Sequence, residues 1–119
     1  MRTSPRKQIQ LTTTGRRTGE ARTVTLYAFE ADEGSGTLVI VGSFGGASHD
    51  PAWVHNLRAQ PRATVTLGRE RRDVIAREVP SDEREPLWTL VCNAFPLYAT
   101  YQRRTKRLIP LFVLGPSDA

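Results

Sequence analysis

The strongest constraint on the fold is a glycine- and arginine-rich connection between two strand-like runs, in residues 11–22 (LTTTGRRTGEAR). Residues 9–13 and 24–29 alternate apolar and polar side chains and are rich in β-branched residues, which predicts two β-strands. Glycine accepts a positive φ at little cost, so the stretch from Gly15 to Gly19 is predicted to turn the chain back on itself. The chain is therefore expected to begin with an antiparallel hairpin.

This predicted turn is also strongly basic, because it contains or adjoins Arg16, Arg17 and Arg22. A guanidinium is a planar fork that matches carboxylate or phosphate, and a glycine lets the backbone approach a ligand closely. Arginines in exposed turns are also common where they contact only water. On its residues alone, the segment is either an anion-binding hairpin or a solvated basic turn.

Hairpin signals continue along the chain. Gly34-Ser35-Gly36 is predicted to turn the second strand into a third, and Gly68 separates two further strand-like runs. An apolar run near the end predicts a closing strand. The later strands are predicted at residues 37–41, 63–67, 73–79 and 109–114.

Two helices interrupt this series of strands. The first is predicted over residues 50–60, with Asp50 as its N-cap and Pro51 at its first position. The second is predicted over residues 81–104 and is broken near Pro96. Strands in hairpins with a few inserted helices predict a mainly β, antiparallel fold, namely a small β-barrel with closed or covered edges.

Length and composition limit the chain to an ordinary globular protein. Its 119 residues predict a single domain over 1–119, with residues 1–8 as a flexible N-terminus. No apolar run approaches the roughly 18 residues of a membrane span, and no apolar stretch follows the basic start as in a signal peptide. We therefore expect a cytoplasmic protein without stable membrane insertion.

Metal binding and nucleic acid binding are both disfavoured. Cys92 is the only cysteine, and it lies in an apolar run where a buried, inert role is expected. His49 and His55 are six positions apart, which does not place them on one helical face, so no metal site is predicted. The net charge is +5, yet the basic residues are dispersed and accompany no RNA-binding or zinc-finger signature. A small anionic ligand accounts for them equally well.

A second glycine-rich loop follows the third predicted strand, at residues 42–48. Strand, glycine loop and helix together suggest a Rossmann fold, but Gly42, Gly45 and Gly46 have the wrong spacing, and hairpins precede them instead of a βαβ unit. A P-loop is also excluded, because neither glycine loop ends in Gly-Lys-Ser or Gly-Lys-Thr.

Four sequence blocks occur in a fixed order along the chain. The blocks are residues 12–19 (TTTGRRTG) with Arg22, residues 42–46 (GSFGG), residues 51–57 (PAWVHNL), and residues 95–102 (FPLYATYQ) with Thr105 and Ile109-Pro110. In this order and spacing they resemble the deazaflavin-dependent nitroreductases and quinone reductases of actinobacteria. The resemblance extends from about Leu11 to Pro116, nearly the whole chain.

The resemblance implies a split β-barrel of the FMN-binding type that binds reduced coenzyme F420, an 8-hydroxy-5-deazaflavin, and passes a hydride to a small acceptor. This coenzyme has a phosphodiester and a tail of linked glutamates, which suits the arginines of the first block. The coenzyme-binding residues that the resemblance implies are Arg16, Arg17, Thr18, Arg22, Thr23, Val24, Thr25, Leu26, Tyr27, Val41, Gly42, Ser43, Phe44, Ala52, Trp53, Val54, His55 and Asn56.

Two positions depart from the family pattern. Phe95 stands where the nitroreductases have a tyrosine, and Phe44 where some members have a lysine. Nitro reduction is therefore not expected, whereas reduction of a quinone or another acceptor remains open. Because residues 94–102 contain no charged side chain, Tyr98 and Tyr101 are the predicted catalytic residues, as hydrogen-bond donors to the acceptor. A non-catalytic protein that carries F420, a flavin or another anionic ligand is the alternative, and a homodimer is possible.

Overall fold

The computed structural model describes residues 6–32 and 34–117, and its six strands close into an antiparallel barrel in the order β1-β2-β3-β6-β5-β4. β4 pairs with β1 and completes the closure. The predicted mainly β, antiparallel barrel is thus confirmed. The strands are β1 (Arg6–Thr14), β2 (Ala21–Glu30), β3 (Leu38–Val41), β4 (Arg62–Leu67), β5 (Glu70–Glu78) and β6 (Leu111–Pro116).

The first hairpin forms where the glycines predicted it. Leu11 pairs with Val24, and the ladder continues to Thr14 opposite Ala21, so β2 begins three residues before the predicted start at Val24. The turn is closed by hydrogen bonds from Gly15 N to Glu20 O at 2.8 Å and from Gly19 N to Gly15 O at 2.8 Å. Gly19 has a φ of +74°, which a side chain would strain.

Two hydrophobic cores lie on opposite faces of the barrel wall. Inside the barrel, Ile9, Leu11, Ile40 and Phe112 pack together with residues of the first helix. Outside, Phe29, Val39, Val41 and Leu111 pack beneath the later helices. β3 is buried on both faces, which explains why its sequence Leu-Val-Ile-Val is continuously apolar while β1 alternates.

Three helices cover the barrel: α1 (Ala52–Ala59), α2 (Arg84–Ala94) and α3 (Leu97–Arg104). The break between α2 and α3 lies at Phe95 and Pro96, as predicted. The predicted N-cap of α1 was wrong: Pro51 occupies the cap position and no side chain caps the helix. Asp50 instead binds Arg58 at 3.0 Å and Arg107 at 2.8 Å, and these ion pairs replace the capping hydrogen bond.

The N-terminal strand begins at Arg6, so residues 6–8 of the predicted flexible segment belong to β1, and residues 1–5 lie outside the described residues. Within the described part of the chain, no helix has the length and apolar character to cross a membrane. Cys92 is half-buried against the outer core, and burial raises the pKa of its thiol, so the group stays protonated and unreactive.

Candidate functional site

A cleft with two connected lobes opens where the first hairpin, the glycine loop and α1 meet. The first lobe has a volume of about 640 Å³, within the range of small-molecule sites. Its rim is the basic turn after β1, and its floor is the start of α1. The lining residues are Thr13, Gly15, Arg16, Arg17, Thr18, Arg22, Thr23, Val24, Phe44, Pro51, Ala52, Trp53 and Asn56.

The second lobe lies between β2 and α3 and has a volume of about 400 Å³. It shares Val24, Phe44, Pro51 and Trp53 with the first lobe, so the two form one continuous cleft. Aromatic rings dominate its outer wall. The lining residues are Val24, Thr25, Leu26, Tyr27, Val41, Ser43, Phe44, Gly45, Pro51, Trp53, Phe95, Tyr98 and Tyr101.

Asn56 fixes the basic turn to α1. Its side-chain amide donates to Thr13 Oγ1 at 3.1 Å, and its Oδ1 accepts from the backbone N–H of Arg16 at 3.0 Å. Asn56 and Thr13 are both buried, so their polar side-chain groups need each other as hydrogen-bond partners. The contact holds the arginine-bearing loop over the first lobe from a residue 40 positions away in the sequence.

The guanidinium groups at the rim are available to a ligand. Among the described residues, the side chains of Arg16 and Arg17 make no ion pair and no hydrogen bond. Arg22 approaches Glu20 at 3.3 Å, but both side chains are more than half exposed, so this pair contributes little. Uncompensated positive charge beside a concave surface favours an anionic ligand.

Arg107 anchors the glycine loop that separates the two lobes. Its guanidinium donates to the carbonyl oxygens of Gly42 at 3.1 Å, Ser43 at 2.8 Å and Ala47 at 2.9 Å. It also pairs with Asp50 at 2.8 Å, and both side chains are at most 15% exposed. One buried side chain thereby sets the path of the whole loop. The sequence offered no local signal for this role, because Arg107 lies about 60 residues downstream.

Tyr98 is the most buried of the aromatic residues around the second lobe, with 5% of its surface exposed. It packs edge-on against Phe29 and Phe95. It lines the second lobe, and within the described residues its hydroxyl has no hydrogen-bond partner. Burial, reinforced by Tyr101, raises the pKa of Tyr98, so its phenol remains a protonated donor.

Most of the residues predicted as site residues line one lobe or both, but three do not. Gly42 and Val54 pack against each other beneath the loop: a Cβ on Gly42 would lie 2.9 Å from Val54 Cγ2 and 2.8 Å from Pro110 Cγ. Val54 is fully buried in the inner core, and His55 is half-buried beside the cleft. Gly42 and Val54 therefore contribute to packing, and neither residue lines the cleft.

Other lining residues were absent from the prediction. Gly15, Gly45 and Pro51 lie directly beside predicted positions, and Thr13 lies three residues before Arg16, so only the ends of the predicted segments were misjudged. Phe44 and Phe95, the two departures from the family pattern, both line the second lobe. No cluster of three or more metal-binding side chains occurs among residues 6–32 and 34–117.

Comparison with known proteins agrees with this geometry. The family model of F420H2-dependent quinone reductases matches residues 2–116. The F420H2-dependent quinone reductase Rv1261c of Mycobacterium tuberculosis is 41% identical over 108 residues, which cover 87% of this chain and 70% of that protein.

Two solved structures have the same fold. One, described as an F420H2-dependent reductase (FDR-A), superposes with a TM-score of 0.79 at 37% identity and covers 97% of this chain and 99% of its own. Another, described as a domain-swapped dimer, has a TM-score of 0.79 at 38% identity, and the match covers 93% of this chain and 81% of that chain. From the family match and these relatives, the chain belongs to the F420H2-dependent quinone reductase family.

Proposed function

We propose that this chain is an F420H2-dependent oxidoreductase that passes a hydride from the reduced deazaflavin coenzyme to a quinone-like acceptor. The observation that carries the proposal is the continuous cleft, in which exposed arginines rim one lobe and tyrosines line the other. Family membership supports an enzyme over a carrier that binds the same coenzyme without turnover.

The first lobe fits the anionic part of coenzyme F420. Arg16 and Arg17 present guanidinium groups without carboxylate partners among the described residues, which suits a phosphodiester and linked glutamates. Arg22 and Thr18 extend the same rim. A cation cluster on a turn held by Asn56 is preorganised, so little ordering is needed when the anion binds.

The junction of the lobes suits a planar ring. Val24, Phe44 and Trp53 provide apolar surface there, while Val41 and Ser43 bring a strand end close enough for backbone hydrogen bonds. When bound in its reduced form, coenzyme F420 supplies the hydride. The barrel contributes orientation, because Trp53 is anchored against Phe112 of the inner core.

At the acceptor end, Tyr98 stabilises the product of hydride arrival. A quinone that gains a hydride has an oxyanion, and we expect the Tyr98 phenol to donate a hydrogen bond to it. Since burial raises the pKa of Tyr98, the phenol keeps its proton, and the proton that completes the hydroquinone comes from water. Tyr101, half-buried on the same helix, is a second donor.

The test is quinone-dependent oxidation of the reduced coenzyme. Purified protein mixed with F420H2 and naphthoquinone is expected to restore the visible absorbance of the oxidised coenzyme in proportion to protein concentration. If titration shows tight binding of F420H2 but no quinone-dependent return of absorbance above the protein-free rate, the chain is a carrier and the enzymatic proposal fails.

Two further properties belong to the proposal. A homodimer is supported by the similar solved structure described as a domain-swapped dimer, and sedimentation of the purified chain tests it. A cytoplasmic location is also proposed, and cell fractionation tests it.

A further inference from the structure

A cation lies against two aromatic residues of the second lobe without lining the lobe itself, although residues 94–102 carry no charge. Arg6 pairs with Phe29 across the β1–β2 ladder, so its side chain is the diagonal neighbour of Tyr27 on the outer face. The Arg6 guanidinium carbon lies 4.7 Å from the centre of the Tyr27 ring and 5.4 Å from that of Phe95. Tyr27 and Phe95 both line the lobe.

The stacked guanidinium retains its hydrogen-bonding capacity. A planar group lying on an aromatic ring keeps its N–H edges free, and Arg6 has no carboxylate partner among the described residues. The neighbouring cation Lys7 is different, because it pairs with Glu30 at 2.9 Å. The positive charge of Arg6 also acts on Tyr98, where it opposes the rise in pKa caused by burial.

Arg6 contacts two rings that themselves belong to a larger aromatic group. The ring centres of Tyr27 and Phe95 are 6.0 Å apart, and the ring centres of Phe95 and Tyr98 are 4.8 Å apart. Arg6 therefore adds a cation to the edge of an aromatic wall. An aromatic compound in this lobe would pack on the rings and present any acidic substituent to the guanidinium.

We propose that Arg6 determines acceptor specificity, and that the second lobe takes an aromatic acceptor carrying an anionic substituent such as a carboxylate or sulfonate. The inference rests on the proposed function, since the compound bound there is the hydride acceptor. Arg6 contributes binding to the substituent, while the phenol of Tyr98 serves the reacting oxygen.

The experiment compares naphthoquinone with naphthoquinone sulfonate as acceptors for the F420H2-loaded protein. In Arg6→Gln, kcat/KM for the sulfonate is expected to fall about tenfold, and kcat/KM for neutral naphthoquinone less than about twofold. Arg6→Lys keeps the charge but loses the planar fork, so it recovers part of the preference. Because Arg6 is exposed, the effect shrinks at high salt.

Arg71→Gln is the matched control, because it removes one exposed arginine from β5, which lines neither lobe. It should leave the ratio of the two kcat/KM values unchanged. An equal ratio in Arg6→Gln and the parent protein would overturn the inference while leaving quinone reduction intact. In that case Arg6 only packs on the aromatic wall.

A binding measurement separates this failure from failure of the proposed function. Calorimetry of protein saturated with oxidised F420 is expected to show naphthalene sulfonate binding more tightly than naphthalene sulfonamide, with the difference lost in Arg6→Gln. If the parent protein reduces neither quinone, the proposed function fails, and this measurement still decides whether Arg6 binds an anion. Equal affinities for the two compounds in the parent protein would refute the anion site.

Discussion

At the scale of single residues, Tyr98 combines deep burial with a position in the lining of the second lobe. Burial disfavours the phenolate, so the folded protein holds this proton at a pH where the unfolded chain releases it. The resulting stabilisation is fully present below the ordinary tyrosine pKa of 10.0 and is lost as the pH rises through the higher folded value.

An alkaline titration followed by tyrosinate absorbance checks this expectation. The parent protein should show a tyrosine that ionises later than an ordinary phenol, and Tyr98→Phe should lack that late step. Tyr101→Phe is the control and should retain it. A late step that persists in Tyr98→Phe would show that the shifted group is another tyrosine.

The arginines of the first lobe give a second residue-scale prediction. Alanine at Arg16 or Arg17 removes a charge-assisted hydrogen bond of about 1.5 to 3 kcal/mol, which is about tenfold or more in affinity for F420. The loss at Arg22 should be smaller, because this residue already approaches Glu20. Calorimetry at low and high salt measures both effects, and the losses should shrink as salt screens the exposed groups.

Arg69→Ala is the control for this series, because Arg69 is an equally exposed arginine in the turn between β4 and β5, outside both lobes. It should bind F420 as the parent protein does. Unchanged affinity in the Arg16, Arg17 and Arg22 variants alike would refute the arginine site.

At the scale of elements, the glycine loop is held from both sides. Arg107 binds three of its carbonyl oxygens from one side. On the other side Gly46, with a φ of +86°, packs so closely on α3 that a Cβ would lie 2.9 Å from the carbonyl oxygen of Tyr101. The loop and the tyrosine helix are thus coupled, and a shift in one changes both lobes.

Replacing Arg107 tests this coupling. Arg107→Ala leaves buried carbonyl groups and Asp50 without their partner, so the free energy of unfolding should fall by about 2 to 3 kcal/mol, and F420 affinity should fall with it. Arg107→Lys restores the charge but not the geometry, so it should recover stability more fully than affinity. Denaturant unfolding and calorimetry measure the two effects.

Lys106→Ala serves as the neighbouring exposed control and should change neither quantity. If Arg107→Lys recovers stability and affinity to the same extent, Arg107 is a stabilising residue without a positioning role.

The elements were predictable where the signal is local. Alternating apolar and polar residues in β1, together with the glycines of the following turn, were enough to predict the first hairpin. Pro96 was enough to predict the break before α3. The Asp50 cap was wrong because distant partners, Arg58 and Arg107, compete for its carboxylate. The roles of Arg6 and Arg107 could not be predicted for the same reason. Strand register places Arg6 beside Tyr27, and loop packing places Arg107 on the glycine loop, and neither arrangement can be read from a short stretch of sequence.

At the scale of the whole molecule, the two faces of the closed barrel wall support different lobes of the cleft. The inner core fixes Trp53 and α1, which form the floor of the first lobe. The outer core fixes Tyr98 and α3, which form the wall of the second. Coenzyme binding and acceptor reduction are therefore expected to depend on different ends of one cleft.

Single-turnover kinetics with F420H2-loaded protein and naphthoquinone test this claim most directly. Tyr98→Phe should slow coenzyme oxidation by about 10-fold to 100-fold while the dissociation constant of F420H2 stays near that of the parent protein. Arg17→Ala should weaken binding about tenfold yet, at saturating coenzyme, oxidise it at nearly the parent rate. A rate for Tyr98→Phe equal to that of the parent, or an Arg17→Ala variant that is slow even at saturation, would contradict the account.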